Sequence, residues 1–195
     1  FLATKNPGKI SEFKEILSGL SVDLVTCNDL EIPDVEETGS TFVENAILKA
    51  RSASKTTKLP SIADDSGIEV DFLEGRPGVW SARYAGINAT NDENNSKLLS
   101  ELQGVTENKR GACYRCVIVF MRFHNDPFPF IAQDSWRGSI LEYQKGSNGF
   151  GYDPIFIPDG FDRTFAELPP EEKNEISHRG RAMKNLIAFI SEKGL

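Results

Sequence analysis

Two long runs of mostly apolar residues, separated by a short turn, constrain the fold of this chain more than any other feature. The first run covers residues 112–123 and reads ACYRCVIVFMRF, and the second covers residues 128–141. The intervening HNDP carries turn residues, so the pair predicts a long β-hairpin. Because a hairpin is antiparallel, the sheet that contains it is not strictly parallel.

Before this hairpin, predicted strands and helices alternate along the chain. Apolar residues at helical spacing predict a helix through Ile10 and Phe13, and Thr41 with Glu44 forms a capping box for a helix over about 42–56. A second capping box, Thr90 with Glu93, predicts another helix. Short strands are predicted at 1–3, 22–26, 61–64, 67–72 and 155–157, and a final helical region from Pro169 to the C-terminus. The pattern predicts an α/β fold with a mixed sheet and flanking helices.

The composition indicates one globular domain over residues 1–195, with room for two lobes. The net charge of −7 disfavours a protein that binds nucleic acid through charge alone. The longest apolar run, residues 117–121, is far too short to span a membrane. Three cysteines form no legible disulfide framework, which is typical of the reducing cytoplasm. Cys113 and Cys116 are three residues apart on a predicted strand and point to opposite faces, so neither a redox pair nor a zinc site is expected.

The segment TKNPGK, residues 4–9, joins a predicted strand to a predicted helix. A helix N-terminus offers free N–H groups and a positive dipole end, and Lys5 and Lys9 add positive charge. The segment is therefore a candidate phosphate-binding turn, although it lacks the spacing of a Walker loop. Taken alone, the segment is better interpreted as an ordinary Asn-Pro-Gly turn with solvated lysines.

Two pairs of adjacent carboxylates are candidate metal ligands. Asp64 and Asp65 lie in IADDSG, and Glu36 and Glu37 lie in an acidic loop. Mg²⁺ binds one or two carboxylates and keeps several waters, so either pair could contribute. A surface turn for the aspartates and a solvated loop for the glutamates are the simpler interpretations of each pair alone.

Further candidates lie in three other segments. The GSNGFG turn, residues 146–151, has the wrong glycine order for a dinucleotide fingerprint, but it can present Phe150 and Tyr152 as flat aromatic surfaces. Asn45 and Lys49 are four residues apart and share a helix face. A basic cluster near the last helix contains Lys173, His178, Arg179 and Arg181. Together with the other segments, these residues supply the parts of a nucleoside triphosphate site.

Six segments, taken in order, make the sequence recognisable. They are TKNPGK, EETGSTFVENAILKAR, IADDSGIEVD, GRPGVWSARYAG, GFGYDPIF and EEKNEISHRGRAMK. In this order they resemble the inosine triphosphate pyrophosphatase family, with the bacterial members most similar. The resemblance covers nearly the whole chain.

The resemblance implies a long curved mixed sheet with flanking helices, and two lobes around a central active-site cleft. It implies a homodimer that hydrolyses ITP, dITP and XTP to the monophosphate and pyrophosphate with Mg²⁺. Such an enzyme clears deaminated purines from the nucleotide pool. Neither a nucleic acid nor a membrane is implied as a partner, and a cytoplasmic location is expected.

The resemblance also assigns roles to individual residues of this chain. Glu36 and Asp65 would hold Mg²⁺, and Asp65 would orient or deprotonate the attacking water. Phe150 would stack on the purine. The remaining residues implied to bind substrate are Thr4, Lys5, Asn6, Pro7, Gly8, Lys9, Lys49, Ser66, Gly151, Tyr152, Asp153, Lys173, His178 and Arg179.

Three alternatives remain open at this point. The chain could act on other modified nucleotides such as modified pyrimidines, although the SHR and FGYD segments argue against this. It could be a purine nucleotide sensor that binds without hydrolysis, but both metal carboxylates, Glu36 and Asp65, are present. A nucleic-acid-binding module is disfavoured by the acidic net charge.

Overall fold

A computed structural model of the chain describes residues 1–20 and 22–194. The helices are α1 (Pro7–Leu17), α2 (Phe42–Thr57), α3 (Asn91–Glu101), α4 (Pro170–Ile176) and α5 (His178–Lys193). The strands are β1 (Ser61–Val70), β2 (Gly111–Met121), β3 (Phe130–Ile140) and β4 (Phe156–Pro158). Leu195, where the last predicted helix was to end, lies outside the described residues.

The four strands form one sheet in the order β1-β2-β3-β4. Strands β3 and β4 pair antiparallel, with Ser139 opposite Ile157. Leu2 makes single parallel bridges to Thr26 and to Ile62. Helices flank the sheet, so the predicted α/β class is confirmed. The four strands form an antiparallel sheet, and the predicted mixed pairing is limited to the parallel bridges of Leu2. Two lobes around a cleft remain a prediction.

Capping explains why α2 begins where the sequence predicts. The Thr41 hydroxyl accepts a hydrogen bond from the Glu44 N–H, and the Glu44 carboxylate accepts one from the Thr41 N–H. These two bonds satisfy donors that the first turn of a helix leaves unpaired. The helix ends at Thr57, where Lys58 adopts a left-handed conformation with φ of 62°.

Three sequence-based predictions of element boundaries are wrong. Strand β1 runs unbroken through Asp64 and Asp65, where two short strands were predicted. The final helical region divides into α4 and α5, because Ser177 is extended with ψ of 163°. The predicted strands at 1–3 and 22–26 are reduced to the bridges of Leu2.

The chain divides into two compact units. Unit 1 comprises Phe1–Asp65, Cys116–Asp134 and Arg179–Leu195, and unit 2 comprises Ser66–Arg115 and Ser135–His178.

In unit 1, the alternation of side chains along β2 fills two separate apolar clusters. Cys116, Ile118 and Phe120 pack with apolar residues of α1 and α5. Val117 and Val119 pack with alanines of α2. This part of β2 is therefore buried on both faces, which explains why its sequence is a continuous apolar run.

In unit 2, a single apolar cluster gathers α3, parts of β1 and β2, and the segment after β3. Tyr114 of β2 contacts the ring of Phe156 edge-on, with centroids 4.7 Å apart. Phe165 is fully buried in the same cluster. This cluster supports the aromatic residues described below.

The two thiols of β2 are both buried. Burial raises the pKa of the Cys116 thiol to about 12 and also raises the pKa of Cys113. Both are free, so the described residues form no disulfide at this motif. Among residues 1–20 and 22–194, no helix is long and apolar enough to cross a membrane.

Candidate active site

Asp64 and Asp65 lie in the middle of β1, and both are buried. Consecutive residues of a strand point to opposite faces of the sheet. The two carboxylates therefore meet different cations, and this separation reduces the repulsion that two adjacent buried charges would otherwise have.

Asp64 is held by two cations of unit 1. Lys9 Nζ of α1 lies 2.9 Å from Asp64 Oδ1, and Arg179 Nε of α5 lies 3.3 Å from Asp64 Oδ2. Burial alone would raise the pKa of Asp64, but Lys9 and Arg179 outweigh burial and hold this pKa well below its usual range. Asp64 is thus an anion at neutral pH.

Asp65 is paired with Lys49 of α2. Lys49 Nζ lies 2.6 Å from Asp65 Oδ1 and 3.0 Å from Glu37 Oε1. Burial would lower the pKa of Lys49, but the Asp65 and Glu37 carboxylates raise it overall. Burial raises the pKa of Asp65, although Lys49 opposes this. Asn45, one helical turn before Lys49, accepts from the Gly39 N–H at 2.8 Å and directs its Nδ2 towards Asp65 Oδ2 at 3.5 Å.

The TKNPGK segment forms the N-terminus of α1. Asn6 is the N-cap, and its Oδ1 accepts a hydrogen bond from the Lys9 N–H at 3.1 Å. Pro7 occupies the first helical position, where a missing N–H costs nothing. Lys5 pairs with the exposed Asp34 at 2.7 Å. The segment therefore combines a capped helix N-terminus with Lys9, which reaches Asp64.

In unit 2, the Asp153 carboxylate organises the aromatic residues. It accepts hydrogen bonds from the Phe150 N–H at 2.8 Å, from Lys173 Nζ at 2.6 Å and from the Tyr114 hydroxyl at 3.2 Å. Lys173 Nζ also lies 4.9 Å from the centre of the Phe150 ring. Lys173 and Asp153 are both buried, so this ion pair fixes the amine close to the ring face.

His178, the first residue of α5, is buried against Tyr114. The two rings stack with centroids 4.7 Å apart and an interplanar angle of 9°. Tyr152 is buried in the same unit, and its hydroxyl donates to the Ser81 carbonyl at 2.8 Å. Gly151 has φ of +65°, a conformation that glycine adopts without strain.

The structure thus brings the predicted residues into two groups, one in each unit. The group in unit 1 contains Lys9, Lys49, Asp64, Asp65 and Arg179. The group in unit 2 contains Phe150, Gly151, Tyr152, Asp153, Lys173 and His178. Arg179 was predicted beside Lys173 and His178 as a base-reading residue, and its observed partners are Glu12 and Asp64. Ser66 follows Asp65 directly in β1.

The sequence analysis missed Glu12, Asn95 and Tyr114 as contacting residues of the site. It named Glu37 and Asn45 as candidates but gave neither a role. Asn45 had a usable signal, since it lies one turn from Lys49 on α2. Glu12 had none, because its partner Arg179 is 167 residues away in the sequence.

The donor chemistry of unit 1 fits a hard divalent cation. The Glu37 and Asp65 carboxylates both contact the Lys49 ammonium group, so together they already hold one cation. Carboxylate oxygens are also the ligands that Mg²⁺ prefers. Within the part of the chain that is described, no group of three or more acidic, histidine or cysteine side chains is arranged for a metal. Mg²⁺ needs only one or two carboxylates, so a site at Asp65 with the exposed Glu36 remains a prediction.

Comparison with known proteins gives relatives along the whole chain. The protein is 50% identical over 194 residues to a protein of Vibrio vulnificus named dITP/XTP pyrophosphatase, an alignment covering 100% of this chain and 97% of that one. It is 52% identical over 191 residues to a protein of the same name from Yersinia pseudotuberculosis, covering 98% and 97% of the two chains.

Solved structures agree with these relatives. A HAM1 protein from Coxiella burnetii superposes with a TM-score of 0.89 at 48% identity, covering 98% of this chain and 97% of that one. The Ham1 protein of Staphylococcus aureus gives 0.85 at 43% identity with the same coverage. Residues 1–189 match the sequence model of the Ham1 family. The family predicted from the six sequence segments is confirmed, and the chain belongs to the Ham1 family.

Proposed function

We propose that this protein is a Mg²⁺-dependent nucleoside triphosphate pyrophosphatase. It hydrolyses ITP, dITP and XTP to the monophosphate and pyrophosphate, and so clears deaminated purines from the nucleotide pool. The observation that carries this proposal is the identity of about half of all residues, along the whole chain, with proteins named dITP/XTP pyrophosphatase. A homodimer in the cytoplasm is part of the same proposal.

The triphosphate is assigned to unit 1. The N-terminus of α1 offers backbone N–H groups and the positive end of a helix dipole, and these bind phosphate oxygens. Lys9 and Lys49 add two ammonium groups that carboxylates already hold in fixed positions. In this proposal Thr4 to Lys9 hold the phosphates, Lys49 assists them, and Ser66 contacts the substrate.

The reacting water is assigned to Asp65. Water attacks the α-phosphorus, its proton passes to the Asp65 carboxylate, and the bond from the α-phosphorus to the bridging oxygen breaks to release pyrophosphate. Glu36 and Asp65 would hold Mg²⁺, which would supply the neutralisation of phosphate charge that this attack needs. Lys49 and Asn45 fix the Asp65 carboxylate from α2, so the base is oriented before substrate binds.

The purine base of the substrate is assigned to unit 2. Phe150 stacks on the purine, with Gly151, Tyr152 and Asp153 beside it. Lys173 and His178 read the purine edge, and their positions are supported by Asp153 and Tyr114 respectively. Arg179 is proposed as a third reader of the base.

A release assay on purified protein tests the proposal. The protein is incubated with Mg²⁺ and each of ITP, dITP, XTP, GTP and ATP, and pyrophosphate and monophosphate are quantified. We expect rapid release from ITP, dITP and XTP and slow release from GTP and ATP. Asp65→Asn serves as the inactive control, because it keeps the shape of the side chain but removes the proposed base. IDP with orthophosphate as first products would contradict the proposal.

Two other functions are tested by adding calorimetry with ITP and a set of modified pyrimidine triphosphates to this assay. A purine nucleotide sensor would bind ITP in calorimetry and release no pyrophosphate. A pyrophosphatase for other modified nucleotides would release pyrophosphate from modified pyrimidine triphosphates in preference to ITP.

A further inference from the structure

Asn95 of α3 is a buried amide that the function described above does not use. Only 1% of the residue is exposed, and it lies in the helix that contributes Leu98 and Leu102 to the apolar cluster of unit 2. Its Nδ2 donates a hydrogen bond to the carbonyl oxygen of Gly151 at 3.0 Å. Its Oδ1 is also buried, and no described residue donates to it.

Burying the Asn95 amide costs free energy, because its Oδ1 atom loses its hydrogen bonds to water and gains none in the core. Packing alone would be served better by an apolar side chain. Asn95 is therefore better explained by the single bond that it makes. That bond is directed at the backbone of the glycine turn that carries Phe150.

This turn needs an anchor on each side of Phe150. The residues on either side, Gly149 and Gly151, have φ of +72° and +65°, and glycine leaves such a backbone free to take other conformations. On the first side, the Phe150 N–H is tied to Asp153 Oδ2 at 2.8 Å. On the second side, the Gly151 carbonyl is tied to Asn95.

A neighbouring residue shows that this part of α3 anchors loops. Asn94 accepts a hydrogen bond from the Ala85 N–H at 2.8 Å and donates to the Ala82 carbonyl at 3.2 Å. Asn94 thus fixes the segment that follows the 3₁₀ helix Gly78–Arg83, and Asn95 fixes the glycine turn. The two amides act on different loops, so their effects can be separated by mutation.

We propose that Asn95 is a positioning residue for the base site: by holding the Gly151 carbonyl it fixes the orientation of the Phe150 ring that stacks on the purine. The inference rests on the proposed function, because it takes Phe150 as the stacking surface. Stacking stabilises the bound substrate and the transition state equally. Loss of this anchor therefore weakens nucleotide binding and raises KM, and it leaves kcat nearly unchanged.

The test is a double-mutant cycle read out by binding as well as by turnover. Kd for IMP is measured by calorimetry, and KM and kcat for ITP are measured, in the wild type, Asn95→Leu, Phe150→Ala and the double variant. Asn95→Leu keeps a branched side chain and removes both polar atoms, and Asn95→Ala is the second variant should leucine fail to fold. Ser96→Ala, an exposed position next to it on α3, is the control.

We expect Asn95→Leu to weaken IMP binding and raise KM by about tenfold, as partial loss of base stacking would. In the Phe150→Ala background the same substitution should have less than a twofold effect, because the ring that it positions is gone. Ser96→Ala should match the wild type.

The inference is overturned if the effects of Asn95→Leu and Phe150→Ala multiply, or if Asn95→Leu lowers the melting temperature and kcat without weakening IMP binding. A wild type that binds IMP but does not hydrolyse ITP contradicts the proposed function alone, and the binding cycle then still decides the role of Asn95. A wild type that binds no purine nucleotide overturns both.

Discussion

Glu12 and Arg179 form a buried ion pair in unit 1, although 167 residues separate them in the sequence. The same guanidinium reaches Asp64 through its Nε at 3.3 Å. Lys9 binds the other oxygen of Asp64. Negative and positive side chains therefore alternate in a series of ion pairs that runs from Glu12 through Arg179 and Asp64 to Lys9. An alternating series of this kind fixes the position of Asp64 from α1 and α5 together.

The first prediction concerns the stability that Glu12 contributes. Removing one partner of a buried ion pair leaves an uncompensated charge, which costs about 3–5 kcal/mol. Arg179 keeps Asp64 as a partner, so we expect Glu12→Gln to lower the free energy of unfolding by about 2 kcal/mol, nearer the loss of a charged hydrogen bond. Urea denaturation measures the free energy of unfolding. The control is Glu15→Gln at an exposed position of α1, which should change this free energy by less than about 0.5 kcal/mol. An equal loss of stability in both variants would contradict the account.

The second prediction concerns base selection by Arg179. Hypoxanthine and xanthine present an oxygen at C6, whereas adenine presents an amino group, so an arginine donor there discriminates by about 1–3 kcal/mol. Arg179→Ala should therefore lower kcat/KM for ITP more than for ATP. Equal proportional losses would show that the guanidinium serves Glu12 and Asp64, its partners in this structure, and not the base.

The third prediction compares two glycines of the turn that carries Phe150. Gly149 and Gly151 both have positive φ, so alanine at either position incurs about 1–2 kcal/mol of backbone strain. A Cβ on Gly149 would also lie 2.1 Å from Asp153 Oδ2, whereas a Cβ on Gly151 would meet nothing within 4 Å. Urea denaturation should show a clearly larger loss of stability for Gly149→Ala. Equal losses would mean that the Asp153 carboxylate moves aside without cost.

The fourth prediction concerns the oligomeric state. Trp80 is 58% exposed, and the Arg83 guanidinium carbon lies 4.4 Å from the centre of its ring. Tryptophan and arginine are enriched in the cores of protein interfaces. We expect light scattering at micromolar concentration to give the mass of a homodimer, and Trp80→Asp to shift it towards the monomer. A monomeric wild type would contradict this prediction.

The local signals in the sequence were sufficient for the starts of α2 and α3. The capping boxes at Thr41 and Thr90 predict the starts of α2 and α3, because their hydrogen bonds form within four residues. The hairpin of β2 and β3 was predicted for a similar reason, since a short turn joins two apolar runs.

The Asp64–Asp65 pair shows where local signals fail. Two adjacent carboxylates followed by Gly67 are typical of a turn, yet β1 continues through them. Cations from three separate helices stabilise the pair in the sheet: Lys9 from α1, Lys49 from α2 and Arg179 from α5. No rule based on neighbouring residues contains this information, and the same holds for Asn95, whose partner Gly151 is 56 residues away.

The most direct test of the central claim is hydrolysis of ITP in water enriched in ¹⁸O, followed by mass spectrometry of both products. The account places the attack at the α-phosphorus with Asp65 as the base, so the new oxygen belongs to the monophosphate. We predict ¹⁸O in IMP and unlabelled pyrophosphate. Label in pyrophosphate would place the attack at the β-phosphorus and contradict the account.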